Sequence, residues 1–330
     1  MIKFFKHSYI AQLIVIVLLL VALWIPACVM QVSEMAAESP ITPIYNLIVF
    51  VFGSSSLALT LLSLAVFVVS MLLFNSILSV NQLVIRNSSI GAFIFVLSMS
   101  CVPIQDEYYP FLLACPFIMM VLQIVYLIYQ IDKPEAYLMN AGFFIALASM
   151  IYFPSILLIF WVLIAMFVMD VKEHKHFVIP IVGFLFPYFI LFVCFYFNHT
   201  LIDKINEYSL AFKEIGLEKL GAQTADLLVI MIVLALTWLS LMVIFSEKFD
   251  NSLATRKKVD ITIWLFVFGF IMLFIHKPVM CNGLIFMVLA VFVSMVLSYV
   301  KKTKIINVVL LVMMCMIIAN QYLPLLGIKL

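Results

Sequence analysis

Charge is what this chain has least of. Only 10% of its 330 residues are Asp, Glu, Lys or Arg, against 67% that are hydrophobic. A soluble protein of that length needs a polar shell, and this composition supplies none. The mean hydropathy of +1.28 points the same way. There is no room for a soluble domain either: the longest polar segments, 198–226 and 246–260, are loops in size. No basic run is interleaved with aromatics, so nucleic acid is excluded as a partner. No Walker loop, nucleophile elbow or His-Glu-x-x-His motif occurs, which argues against ATP-driven transport by this chain alone. The six cysteines (Cys28, Cys101, Cys115, Cys194, Cys281, Cys315) show neither Cys-x-x-Cys nor Cys/His metal spacing. No metal site is expected from them. They read as small apolar packing residues, with a disulfide as the alternative.

Long apolar runs fill the chain instead. Eleven are expected to be helices: 10–30, 57–79, 89–103, 111–131, 139–153, 155–169, 177–197, 227–245, 261–275, 284–300 and 305–325. Several reach the roughly 20 residues that cross a ~30 Å hydrocarbon core, where a backbone must satisfy its own hydrogen bonds. The fold class this predicts is all-α: a polytopic transmembrane bundle forming one integral-membrane domain over 1–330. Lys3, Lys6 and His7 precede a first run too long for a signal core of ~7–15 residues, so a retained first helix is expected. Residues 45–52, ending at Gly53-Ser54-Ser55-Ser56, read as a brief interfacial or re-entrant piece.

Loop charge sets the orientation. With the N-terminus cytoplasmic, thirteen basic residues fall inside: Lys3, Lys6, Arg86, Lys133, Lys172, Lys175, Lys248, Arg256, Lys257, Lys258, Lys301, Lys302 and Lys304. Five fall outside: Lys204, Lys213, Lys219, Lys277 and Lys329. That asymmetry follows the positive-inside rule and places the C-terminus outside. It also requires 139–169 to be two short helices meeting at Phe153-Pro154, where proline suits a helix start. The polar segment 198–226 separates Ile205, Tyr208, Phe212 and Ile215 from Lys204, Glu207, Glu214 and Glu218 at helical spacing. It reads as an amphipathic outer-face segment that rests on the leaflet or caps the bundle, or else as a lid over a substrate.

No Asp, Glu, Lys, Arg or His is expected at mid-span depth, which argues against an ion-coupled transporter. The buried polar groups are Gln12, Asn75, Gln123, Thr237, Ser240, Ser294 and Asn320, read as hydrogen-bonding between helices. Carboxylates gather at the outer ends instead: Glu34 and Glu38 after the first helix, Asp106 and Glu107 after the third. His276 and Lys277 sit at the outer end of the ninth. Such carboxylates can act as a general base or hold a divalent cation, and His276 and Lys277 can bind a lipid-carrier phosphate. They are the candidate catalytic and phosphate-binding residues; the alternative is that wet loops simply carry charge. On the inner side, Lys172-Glu173-His174-Lys175-His176 reads as a solvated basic loop touching headgroups.

Three stretches carry a resemblance. They are Phe74-Asn75 with Asn81-Gln82-Leu83-Val84-Ile85-Arg86-Asn87, then Ala141-Gly142 through Phe153-Pro154-Ser155, then Ile179-Pro180 through Phe186-Pro187-Tyr188. Over about residues 40–200 the chain resembles a family of uncharacterised polytopic inner-membrane proteins of the Bacteroidota. The layout also resembles the integral-membrane C-type glycosyltransferases, in which outer loops carry acidic residues. That second resemblance implies roles for Glu34 or Glu38 and for Asp106 and Glu107, a polyprenyl-phosphate-linked substrate and a divalent cation. Without it no cofactor is expected. The first functional expectation is an accessory or structural inner-membrane protein of envelope biogenesis, with membrane lipids and other envelope proteins as partners. The alternative is a lipid-linked sugar transferase or polymerase at the outer face, and the third is a small-solute or lipid transporter.

Overall fold

The computed structural model describes residues 4–5, 10–30, 42–52, 56–86, 88–101, 109–131, 133–171, 173–213, 224–246, 252–272, 283–299 and 304–322. Among them every regular element is helical. The first seven α-helices are α1 (Ile10–Met30), α2 (Pro43–Phe52), α3 (Ser56–Val80), α4 (Ile90–Met99), α5 (Tyr109–Leu127), α6 (Glu135–Ile151) and α7 (Leu158–Val168). Then come α8 (Ile179–Phe197), α9 (Leu201–Lys213), α10 (Thr224–Ile244), α11 (Leu253–Met272), α12 (Gly283–Tyr299) and α13 (Lys304–Tyr322). Four of them, α1, α3, α5 and α8, are long and apolar enough to cross a membrane.

The core is built on α4 and α12. All ten residues of α4 are buried, and residues 283–298 of α12 are buried except for the half-buried Ile285. A helix that is apolar all round belongs in an interior. Phe95 of α4 stacks on Phe74 at 4.7 Å and meets Phe67 edge-on at 5.7 Å, both on α3. Trp24 of α1 continues the aromatic row, 6.0 Å from Phe67. At the periphery the pattern inverts. Val182, Leu185 and Phe189 on α8, and Trp238, Leu239 and Met242 on α10, are large, apolar and exposed.

Three helices end the same way without a glycine. Gln82, Asp170 and His199 take positive φ of 59°, 57° and 57°. In each case the next amide bonds back five residues: Leu83 to Leu78, Val171 to Met166, Thr200 to Phe195. This is the Schellman closure, in which a left-handed residue lets orphan carbonyls of the last turn be satisfied. Polar residues tolerate the left-handed well better than branched ones, and all three serve here.

The 139–169 region is two helices, as the loop charges required. Tyr152 is extended (φ −128°, ψ 98°), a short 3-10 helix covers Phe153–Leu157 with Pro154 at its start, and α7 follows. Glu135 at the start of α6 bonds His176 just before α8, and Asp170 after α7 pairs with Lys257 near the start of α11. Lys257 also lies over Tyr129, six residues before Glu135, so the α6–α7 pair begins and ends at the same end of the bundle. α6 and α8 meet at backbone distance. A methyl on Gly142 would lie inside the Pro180 carbonyl, and one on Gly183 inside the Met139 carbonyl. Small residues are what permit such an approach.

Two expected elements are corrected. The helix placed at 261–275 starts eight residues earlier, at Leu253, and so carries Lys257 and Lys258 into its first turns. The one placed at 89–103 is helical only over Ile90–Met99, about 15 Å at ~1.5 Å per residue, and is a buried half-length helix.

Candidate functional site

The early start of α11 buries a cation. Lys258 is only 4% exposed. Its Nζ donates to the Asn81 carbonyl oxygen at 3.3 Å and to Asn81 Oδ1 at 3.0 Å. Asn81 in turn donates from Nδ2 to the Ile77 carbonyl at 2.8 Å and to Gln123 Oε1 at 2.9 Å. The ammonium therefore sits at the carbonyl end of α3, where a helix presents partial negative charge. Among the described residues no carboxylate lies within ion-pair distance of it. One turn further along α11, Thr262 donates to the Lys258 carbonyl at 2.7 Å and shares a 2.6 Å bond with Tyr126 of α5. Trp161 of α7 donates to the Ile261 carbonyl at 3.1 Å. Lys258 thus ties α11 to the end of α3 and, through Asn81, to Gln123 of α5, while Trp161 separately joins α7 to α11. Lys258, expected in the polar inner segment 246–260, is instead carried into a helix that begins at Leu253.

A charged rim belongs to the same end. His176 is buried and lies 3.3 Å from Glu135 and 3.6 Å from Glu173, and Lys175 pairs with Glu173 at 2.6 Å. The hydrogen bond from Lys175 holds the Glu173 carboxyl below the usual carboxylate range. The 172–176 loop read as uniformly solvated therefore contains one histidine folded inward onto α6. Among the described residues no group of three His, Cys, Asp or Glu is arranged to hold a metal ion.

Amides cap both ends of the buried helix α4. Asn75 accepts from the Ala92 amide and donates to the Ser88 carbonyl, each at 3.1 Å. At the other end Asn320 donates to the Cys101 carbonyl at 3.2 Å and Gln321 to the Ser100 carbonyl at 3.0 Å. Gln12 bonds the Phe4 carbonyl and Ser89, just before α4, and the Ser89 amide donates to the Phe5 carbonyl at 3.0 Å. Gln12, Asn75, Gln123 and Asn320 thus make the interhelical bonds expected of them, while Ser294 bonds back within its own helix.

Glu34, Glu38, Asp106, Glu107, His276 and Lys277 all lie outside the described residues. What brackets two of their segments is described: Phe111, after 102–108, packs its ring against Gly283, which follows 273–282.

A cleft of about 250 Å³ lies between α8 and α9. The amphipathic helix expected in 198–226 is α9, turned across α8 by the His199 closure; Thr200 starts it by accepting from the Lys204 amide. Tyr188, Phe192, Phe195, Ile205 and Tyr208 line the cleft, with Lys204 among them. Tyr188 is anchored to Ser149 of α6 at 2.8 Å. The Tyr208 hydroxyl is buried and, among the described residues, has no hydrogen-bond partner. Burial pushes this phenol up to about 12, so it remains a donor. Spacing predicted the helix but not the cleft, because the facing wall comes from α8.

Compared with protein families, curated proteins and solved structures, the chain has no match.

Proposed function

We propose that this chain is a multi-pass inner-membrane protein of the cell envelope with an accessory or structural role, held in lipid and working beside other envelope membrane proteins. The membrane part is supported by four helices of spanning length and by the exposed apolar faces of α8 and α10, which only lipid or another apolar surface would cover. The shorter helices complete about eleven crossings, with the basic end cytoplasmic and the C-terminus outside. Resemblance to the Bacteroidota family belongs to this same proposal.

The observation that carries the accessory role is the capping of α4. Asn75, Asn320 and Gln321 spend their amides on the ends of a buried ten-residue helix, and Asn81, Gln123 and Lys258 are spent joining three others. In this reading the interior polar groups position helices rather than substrates. Complementation in a strain lacking the chain is the test. Neutral substitutions at Glu34, Glu38, Asp106, Glu107, His276 and Lys277 restore the strain, whereas Asn75→Leu and Asn320→Leu do not.

One observation favours the second reading, a lipid-linked sugar transferase or polymerase at the outer face. Phe111 and Gly283, the described residues that follow the stretches carrying Asp106-Glu107 and His276-Lys277, pack against each other. A carboxylate base opposite a phosphate-binding cation is what a polyprenyl-phosphate donor needs, with a divalent cation as the additional cofactor. Loss of complementation by Asp106→Asn or Lys277→Gln, in protein that accumulates normally, moves the conclusion to this reading.

A further inference from the structure

The α8–α9 cleft has walls of one kind and a mouth of another. Phe192, Phe195 and Ile205 offer apolar surface. Within it lies one buried donor, the Tyr208 hydroxyl, that no described group accepts from. An orphaned buried donor costs roughly 1–3 kcal/mol unless something accepts from it. Beside the cleft Lys204 and Glu207 are paired at 2.6 Å, both partly exposed. The pair is neutral as a unit and presents a cation and an anion a few ångströms apart. Next to all this runs the exposed apolar face of α8, with Phe189 and Tyr196 uncovered.

We propose that this cleft binds one amino-phospholipid of the phosphatidylethanolamine type: an acyl chain lies against Phe192, Phe195 and Ile205, an ester carbonyl accepts from Tyr208, and phosphate and ammonium face Lys204 and Glu207. Each part of the ligand answers a feature of the cleft. A hydrocarbon chain fits apolar walls that open toward a lipid-facing helix. An ester carbonyl is the acceptor that sits between chain and headgroup, where the phenol lies. A headgroup with both signs matches a paired rim, while a purely anionic one would meet Glu207 unfavourably. A primary ammonium also donates to a carboxylate, which a quaternary one does not. The site rests on the membrane reading above and adds to it a lipid held in place by α9.

The test is photolabelling in phosphatidylcholine vesicles that contain the full chain and a phosphatidylethanolamine bearing a diazirine on one acyl chain. Labelled peptides are mapped, with the exposed face of α10 (Leu239, Met242) as the reference for bulk lipid. The expected result is labelling of 188–208 in excess of α10. Tyr208→Phe lowers that excess about fivefold, the worth of one hydrogen bond. Ile205→Trp fills the cleft and removes the excess while α10 stays labelled, and a phosphatidylglycerol probe labels the cleft no more than α10. Equal labelling of cleft and α10 in a membrane-bound chain overturns the site alone. So does an excess that neither variant changes, or one that the two headgroups share. A chain that stays out of the vesicles and takes no label overturns the membrane reading and the site together.

Discussion

Asn81 and Lys258 form an unequal partnership, and the inequality is measurable. Removing the lysine with Lys258→Met keeps the apolar stem and takes the donor from two neutral Asn81 oxygens, while Asn81 Nδ2 keeps its bonds to Ile77 and Gln123. Removing the asparagine side chain leaves a buried ammonium with fewer acceptors, and hydrogen bonds to charged groups are worth ~1.5–3 kcal/mol. Asn81→Ala is therefore expected to cost about that much, Lys258→Met clearly less, and the double variant less than the sum. Unfolding titrations in mixed micelles, arranged as a double-mutant cycle, measure the coupling. Additive costs would mean that the two side chains act independently. At this scale the sequence was only partly legible. Asn75 and Asn320 announced themselves as amides inside apolar runs, where only a neighbouring helix can satisfy them. Lys258 and His176 did not, because each sits in a cluster of charges that reads as solvent-facing. Their burial depends on where a helix begins and on a carboxylate, Glu135, 41 residues away.

Helix packing at Gly142 and Gly183 makes a sharper demand on sequence than any polar contact. A side chain at either position meets the carbonyl of a facing backbone, which has no rotamer to retreat into. Gly269 differs: a methyl there lies 3.1 Å from Ile285 Cγ1, the branch of a side chain that can shift. Gly142→Ala is therefore expected to cost more than the ~1–3 kcal/mol of ordinary overpacking, and to separate α6 from α8, whereas Gly269→Ala costs less than that. Thermal unfolding in detergent, read against monodispersity, ranks the two; equal losses would show that α6 and α8 yield as easily as a side chain does. The α6–α8 contact was invisible in one dimension, since nothing marks which glycine meets which carbonyl. Helix existence was legible from apolar runs, as α1, α3 and α8 attest. Helix ends were harder, because Gln82, Asp170 and His199 perform a closure usually signalled by glycine. The break at Tyr152 could be anticipated only because loop charges needed an extra crossing.

On the scale of the whole molecule, the contacts draw the basic loops to one end. The N-terminal Phe5 carbonyl receives the Ser89 amide, Lys258 reaches Asn81, Lys257 meets Asp170 and Tyr129, and His176 meets Glu135. Through these contacts the neighbourhoods of Arg86, Lys133, Lys175 and Lys258 share an end, although they are spread over more than 170 positions. A membrane potential and the insertion machinery retain such Lys and Arg clusters on the cytoplasmic side. The amphipathic helix α9 follows α8, which starts at that end just after His176 and runs away from it, so α9 lies at the opposite face. Reporter fusions after Lys258 and after Lys304 are accordingly expected to be active as cytoplasmic reporters and silent as alkaline phosphatase. Fusions after Phe212 and after Leu330 show the reverse. The Lys258 and Phe212 fusions test the end-to-end arrangement around α8 and α10. The Lys304 fusion tests parity through α11 and α12. Phosphatase activity after Lys304 alone would mean that one of those two helices fails to cross, and that the C-terminus returns to the cytoplasm. Activity after Lys258 as well would invert the bundle from α8 onward and separate the basic end from the side of the membrane that ordinarily holds it.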